Sequence, residues 1–294
     1  MKSERCMKEY MSPIVFVQPK ITFRSTGLLT DRIFQDMSER LFNALFYALR
    51  WKVRWSRPTY CPKGEDKTPF FAAKPRLLTE ADRLEKTYHL QGFREHATSV
   101  EYRESLYLID LMERFCPVPR LRNPVAALDV GSKNFAYARG LHHFLRYAGG
   151  APPRQVALTG IEVDPYQVYA DLHARHDYAR YHTRGLEGCR YLTGDVTGHD
   201  ARYDLITWFL PFVTEYAHRK WGLPGHLFAP DRLLRHVHGL LADGGVLILA
   251  NREEEERDIQ TQLLRDHGIP FHPPQRHESD WMAYAPRYVT VIEK

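Results

Sequence analysis

Residues 126–141 read AALDVGSKNFAYARGL, and this stretch decides the fold. Its apolar first residues predict a buried strand, Gly131 predicts a turn, and the residues that follow predict an amphipathic helix. A carboxylate, Asp129, stands at the end of the predicted strand. Strands and helices continue to alternate downstream, which favours a parallel sheet with helices on both faces.

The other elements of this half follow from short apolar runs and from helical spacing. Strands are predicted at residues 125–130, 156–162, 190–193, 204–209 and 246–250. Helices are predicted at residues 135–148, 166–178, 230–241 and 254–267. A further strand is expected at 288–293 and another between 271 and 284. The expected class is α/β, with a doubly wound, mostly parallel seven-stranded sheet.

The first part of the chain is predicted to be mainly helical. One helix is expected over residues 28–49, because apolar side chains recur every four residues at Ile33, Met37, Leu41, Leu45 and Leu49. A second helical stretch is expected over 79–115, with Ser99 as a cap within it. Four prolines oppose regular structure in the aromatic and basic segment 50–76. Prolines at 116–124 mark the boundary between a cap, 1–122, and a core domain, 123–294.

Composition and charge limit the possible functions. The 294 residues are 44% hydrophobic and 26% charged, as in ordinary globular proteins. No run suits a membrane helix and the N-terminus lacks a signal-peptide core, so a cytoplasmic location is expected. The four cysteines and fifteen histidines form no metal-binding pattern, and no metal is predicted. Residues 1–123 carry a net charge of +7 and the rest −2, a basic region that could attract an anionic substrate.

Further motifs follow in a fixed order. They are GIEVD with Glu162, TGDV with Asp195, YDLITWFLPF at 203–212 and LLADGGVLILAN at 240–251. Together with the opening stretch, this order resembles the class I S-adenosylmethionine (SAM) dependent methyltransferases over residues 125–294. The resemblance implies a Rossmann-like methyltransferase fold and SAM as cofactor.

The resemblance implies that the turn after the first strand contacts SAM. The family carries three alternating glycines there, whereas this chain reads GSKNF and keeps only Gly131. A glycine lets the backbone approach a ligand closely. Ser132 and Asn134 are expected to make polar contacts to the methionine part, and Asp129 to accept from its ammonium group.

The next two strand ends are expected to bind the nucleoside. An acidic side chain at the end of the second strand can accept from both ribose hydroxyls, and Glu162 is the candidate. Asp164 is instead expected to open the following helix with Pro165. The resemblance implies that Asp195 contacts the adenine amino group and that Val196 packs beside the ring. Turn formation is the alternative for Asp195.

The segment after the fourth strand is expected to line the space between the sulfonium and the acceptor. Trp208, Phe209 and Phe212 could form an aromatic wall that attracts the cationic sulfonium. Phe209 stands where enzymes that methylate base amines carry Asn or Asp, which disfavours that reaction. In the long loop 213–231, Tyr216 or His218 is a candidate general base.

The predicted function is SAM-dependent methyl transfer to an unidentified acceptor, with a small molecule favoured over nucleic acid. The cap is expected to close the site, with Trp51, Trp55, Phe70 and Phe71 as candidates for excluding water. One alternative is an enzyme that transfers or cyclises another part of SAM and releases methylthioadenosine. Others are a nucleic-acid methyltransferase, a dinucleotide oxidoreductase and a non-catalytic binding module.

Overall fold

The computed structural model describes residues 28–150 and 152–294, with side chains from Asp36 onward. Its centre is a seven-stranded sheet in the order β3-β2-β1-β4-β5-β7-β6. Strands β1 to β5 are parallel, and β7 runs antiparallel between β5 and β6. The strands are β1 Val125–Val130, β2 Val156–Glu162, β3 Cys189–Thr193, β4 Tyr203–Phe209, β5 Leu241–Asn251, β6 Gln275–His277 and β7 Arg287–Glu293. The predicted fold class is therefore confirmed.

Ten α-helices surround the sheet in the described part of the chain. Five precede β1: α1 Leu28–Val53, α2 Thr68–Ala73, α3 Arg76–Thr87, α4 Phe93–His96 and α5 Ser99–Phe115. Five follow it: α6 Ala138–Tyr147, α7 Arg175–Thr183, α8 Glu215–Lys220, α9 Pro230–Gly239 and α10 Glu254–Asp266. None of these helices is long and apolar enough to cross a membrane.

The two faces of the sheet are covered by different helices, as a doubly wound fold requires. Leu106 of α5 and Phe144 of α6 pack against one face, where Ala127 of β1 lies. Leu234 of α9 and Leu264 of α10 pack against the other face. The strands are thus buried on both sides, which explains why their sequences read as short apolar runs.

The helical region before β1 differs from its prediction in three ways. The expected stretch 79–115 is divided into α3, α4 and α5, because His89 and Gly92 take left-handed backbone conformations (φ 54° and 75°) that end a helix. Thr98, and not Ser99, caps α5: its hydroxyl accepts from the Glu101 N–H at 3.2 Å, while the Glu101 carboxylate accepts from the Thr98 N–H. The segment 50–76, expected to be irregular, contains the end of α1 and the short helix α2, in whose first turn Pro69 is tolerated.

Helix α1 forms as predicted but turns a different face inward. Four members of its apolar series, Met37, Leu41, Leu45 and Leu49, remain exposed. The face that contacts the core domain carries polar and aromatic side chains, whose hydrogen bonds to backbone carbonyls and to one carboxylate fix its orientation. The division of the chain near residue 122 into a cap and a core domain stays a prediction.

A close contact between the turn after β1 and strand β2 shapes this end of the sheet. Phe135 is fully buried, and its ring lies over Gly160 of β2. A Cβ atom added to Gly160 would come within 2.7 Å of both Phe135 Cε1 and Ser132 Oγ. Gly160 therefore provides the space that the phenyl ring fills.

We expect Gly160→Ala to lower the free energy of unfolding by about 1–3 kcal/mol, because the new methyl group overpacks this contact. Chemical denaturation measures the change. Gly239→Ala is the matched control, since a Cβ atom there meets no heavy atom within 4 Å. Phe135→Leu combined with Gly160→Ala should recover part of the loss, and equal stability of both single glycine variants would contradict the proposed contact.

Candidate functional site

The turn after β1 adopts the backbone of a glycine-rich turn with only one glycine. Gly131, Lys133 and Phe135 all take positive φ angles, of 72°, 54° and 53°. They occupy the three alternating positions at which the resembled family carries glycine. Positive φ strains residues that have a side chain, so the surrounding contacts must hold Lys133 and Phe135 in place. A Cβ atom at Gly131 would have no heavy atom within 4 Å, which leaves open space beside this turn.

Asp129 ends β1 as predicted, but protein groups already occupy its carboxylate. Thr207 Oγ1 donates to it at 2.6 Å and the Tyr137 hydroxyl at 2.9 Å. The side chain is fully buried, and burial raises its pKa to about 7. Ser132 also turns inward, where its hydroxyl donates to the Asp129 carbonyl oxygen at 2.9 Å. Asn134 is half-buried in the same turn.

Glu162 joins the chain after β1 to the chain after β2. Its carboxylate accepts from the backbone N–H of Lys133 and from that of Asp164, both at 2.8 Å. Arg175 Nη1 lies 3.5 Å from the same carboxylate. Glu162 therefore lies at the end of β2 as predicted, with its oxygens facing the turn that carries Gly131.

Asp164 has a different role from the one predicted. It is fully buried, and Arg50 of α1 donates to its two oxygens from Nε and Nη2, each at 2.8 Å. Tyr47 and Trp51 of α1 also donate to the carbonyl oxygen of Val163. The prediction that Asp164 and Pro165 open a helix is wrong, because these contacts hold the chain in an irregular loop until α7 begins at Arg175.

A cavity of about 380 Å³ opens at the ends of β2 and β3. Its lining includes Ile161, His176, Tyr191, Thr193, Asp195 and His199. Asp195 also caps the short 3₁₀ turn Val196–Gly198, since its carboxylate accepts from the Thr197 N–H at 2.9 Å. Val196 is buried in the cluster that covers the far face of the sheet.

The aromatic residues at the end of β4 do not form one continuous wall. Successive side chains of a strand point to opposite faces, so Trp208 and Phe209 diverge. Trp208 is buried in the cluster beneath α9 and α10, whereas the Phe209 ring lies 5.9 Å from that of Tyr137. Phe212, beyond the strand, packs against Trp221 at 5.9 Å between ring centroids.

The two candidate bases lie on α8, within the long loop after β4. His218 is buried between Phe212 and Phe228, and its Nε2 has no hydrogen-bond partner among the described residues. Burial lowers its pKa to about 4, so the imidazole is neutral near pH 7. Tyr216 points outward and is 65% exposed.

The four aromatic candidates of the cap fall into two groups. Trp51 packs edge-on against Tyr166, and Trp55 donates to the Leu172 carbonyl oxygen at 2.9 Å, so both lie against the loop after β2. Phe70 and Phe71 instead pack near Trp281 and Tyr102, in the hydrophobic core. Only the first pair is close to the candidate site.

Several side chains at this site carried no sequence signal. Arg50, Arg175 and Trp221 come from three separate segments and meet only in the folded chain. Lys133 is the exception, because a lysine at the second glycine position already departs from the family pattern. Among the described residues, no group of three or more potential ligands could hold a metal ion.

The strand order and the antiparallel β7 define a Rossmann-like fold, and polar side chains lie at the ends of β1 to β3. The site lies beside the switch point between β1 and β4, where ligands bind in such sheets. No protein-family model matches the chain, and no curated protein matches it.

Several solved structures with chains similar to this one are described as methyltransferases. TrmN from Thermus thermophilus is 18% identical with a TM-score of 0.45, and the match covers 65% of this chain and 48% of TrmN. A methyltransferase from Pyrococcus furiosus is 18% identical with a TM-score of 0.45, and the match covers 66% of this chain and 83% of that protein. A SAM dependent methyltransferase from Aquifex aeolicus is 18% identical with a TM-score of 0.41, and the match covers 62% of this chain and 92% of that protein. The chain thus spans less than half the length of TrmN.

We expect Arg50→Met to lower the free energy of unfolding by roughly 3–5 kcal/mol, since the buried Asp164 carboxylate loses both hydrogen bonds from Arg50 and keeps only the more distant Arg175, 3.9 Å away. Denaturant unfolding measures this loss. Lys52→Met, an exposed change on the same helix, should cost little. Equal effects of the two substitutions would show that the ion pair does not hold α1 to the loop.

A pH dependence follows from the raised pKa of Asp129. Between about pH 4 and 7 the native state keeps a proton that the unfolded state has lost, so the free energy of unfolding falls as pH rises through this range. Asp129→Asn does not titrate, and its unfolding curve should lack this fall. The measurement is the free energy of unfolding of the wild-type protein and of Asp129→Asn at several pH values from about 4 to 7.5. If the two proteins show the same dependence on pH, the raised pKa of Asp129 is contradicted.

Proposed function

We propose that this protein is a SAM-dependent methyltransferase that acts on a small molecule. The observation that carries the proposal is the set of three acidic side chains, Asp129, Glu162 and Asp195, at or just beyond the ends of three adjacent parallel strands. Glu162 is bonded to the turn after β1, and Asp195 lines the cavity at β3. This arrangement supports binding of a nucleoside across the strand ends.

The residues present fit the nucleoside part of SAM. The carboxylate of Glu162 faces the turn that carries Gly131, and the space beside that glycine is open. A ribose there would find an acceptor for its hydroxyls. The cavity beside Asp195 has mixed polar and apolar walls, which suit an adenine ring and its amino group.

When bound, SAM supplies a methyl carbon already activated by its sulfonium. The protein then has to position the acceptor and exclude water, and no universal catalytic residue is required. His218 is the better candidate for a general base. Its imidazole is neutral, and its Nε2, which has no partner among the described residues, could take a proton from an acceptor hydroxyl or amine. Tyr216 is the weaker candidate, since its side chain is exposed to solvent.

A small acceptor is favoured because several arginines of the basic cap already form ion pairs within the protein. Arg50, Arg83 and Arg94 each pair with carboxylates of the protein itself. Arginines that are neutralised in this way are less available to a phosphate backbone. The contacts of α1 with the loop after β2 support a cap that closes the site, and a cytoplasmic location remains part of the same proposal.

Two experiments test the function. Calorimetry with SAM tests the cofactor, and product analysis after incubation with candidate acceptors tests the reaction. S-adenosylhomocysteine as product supports methyl transfer. Methylthioadenosine would favour the alternative, in which another part of SAM is transferred or cyclised, an option that the altered glycine turn keeps open. A folded protein that binds no SAM would favour a non-catalytic binding module.

We expect Glu162→Gln to weaken SAM binding about ten-fold, because a charge-assisted hydrogen bond to the ribose becomes a neutral one. Glutamine keeps the size of the side chain, so the fold should persist more readily than with alanine. Glu187→Gln, an exposed change, is the control. An unchanged dissociation constant in a folded Glu162→Gln protein would remove Glu162 from the cofactor site.

A further inference from the structure

Arg175, the first residue of α7, is a fully buried cation beside the candidate cofactor site. Its Nη1 lies 3.5 Å from the Glu162 carboxylate and 3.3 Å from the Asp164 carbonyl oxygen. These contacts use one corner of the guanidinium group. They are also long for charge-assisted hydrogen bonds, which are usually about 2.7–2.9 Å.

The other edge of the same guanidinium group lacks an acceptor. Neither Nε nor Nη2 of Arg175 has a hydrogen-bond partner among the described residues. These two N–H groups point in the same direction and form the fork that binds the two oxygens of a carboxylate. Arg50 uses this very edge to hold Asp164, with both distances at 2.8 Å. Leaving such a fork buried and unpaired is costly, which indicates a ligand that the described residues do not supply.

The neighbouring carboxylates already have closer donors than Arg175. Glu162 accepts from two backbone N–H groups, and Asp164 accepts from both arms of Arg50. A second cation, Lys133, lies over the same aromatic ring as Arg175. Trp221 lies 5.0 Å from the Arg175 guanidinium carbon and 5.5 Å from Lys133 Nζ, measured to its ring centroid. The buried hydroxyl of Tyr169 also faces Arg175, with no hydrogen bond of 3.5 Å or less to it.

We propose that the Nε–Nη2 edge of Arg175 binds a carboxylate of a small molecule held in this site, with Lys133 adding positive charge. The inference rests on the proposed function, because the site adjoins Glu162. Two sources share the same chemistry: the carboxylate in the methionine part of SAM, or a carboxylate on the acceptor.

The first arm of the test compares SAM with decarboxylated SAM by calorimetry. The two ligands differ only in the carboxylate, so the wild-type protein needs no substitution for this comparison. If the fork holds the cofactor, SAM should bind at least ten-fold more tightly. Arg175→Lys keeps the charge but removes the fork, so the ratio of the two dissociation constants should fall towards one. Arg180→Lys, an exposed change on the same helix, should keep the preference.

The second arm uses malonate and its neutral analogue malonamide on protein saturated with S-adenosylhomocysteine. If the fork holds an acceptor carboxylate, the two SAM ligands should bind equally. Malonate, but not malonamide, should then raise the melting temperature of the wild-type protein and of Arg180→Lys, and have no effect on Arg175→Lys.

The proposal is overturned if SAM and decarboxylated SAM bind equally and malonate has no more effect than malonamide. Binding of neither SAM ligand would instead refute the proposed function. The malonate comparison on the protein without ligand would then still decide whether Arg175 binds a carboxylate.

Discussion

The carboxylate of Glu162 is the contact on which the rest of the site depends. It holds the backbone of the turn after β1 through the Lys133 N–H and the chain after β2 through the Asp164 N–H. The open space beside Gly131, the buried Asp164 and Arg175 all lie around this connection. A single buried anion with several donors is therefore both a structural joint and the best candidate for binding a ribose.

Much of the sheet could be predicted because its strands are buried on both faces and are short. The bounds of β1 and β2 match their predictions, since a polar residue or a turn follows each apolar run at once. The helix expected at 166–178 fails for a different reason. Its apolar spacing suits a helix, but Arg50, which lies 114 residues earlier in the chain, binds Asp164 and holds the loop. A local pattern carries no information about such a partner.

In the candidate site, too, the positions of residues could be predicted from the sequence, whereas their contacts could not. The positions of Asp129, Glu162 and Asp195 follow from where the strands end, and the sequence contains that information. What each side chain contacts does not follow from it. Tyr137 and Thr207 reach Asp129 only once α6 and β4 have packed beside β1, and Trp208 and Phe209 separate because a strand alternates its faces. Burial, and hence the pKa of Asp129 and His218, is likewise a property of the assembled fold.

The fit between Phe135 and Gly160 bears on how this chain can change over evolutionary time. A glycine at position 135 would empty the space that the phenyl ring fills, and such cavities in a core are destabilising. Enlarging position 160 first would meet the ring instead. Each single step passes through a less stable protein, so the two positions are expected to change together or not at all. The packing of Phe135 against β2 thus limits which residues this turn can acquire, and this limit comes from the protein's own contacts.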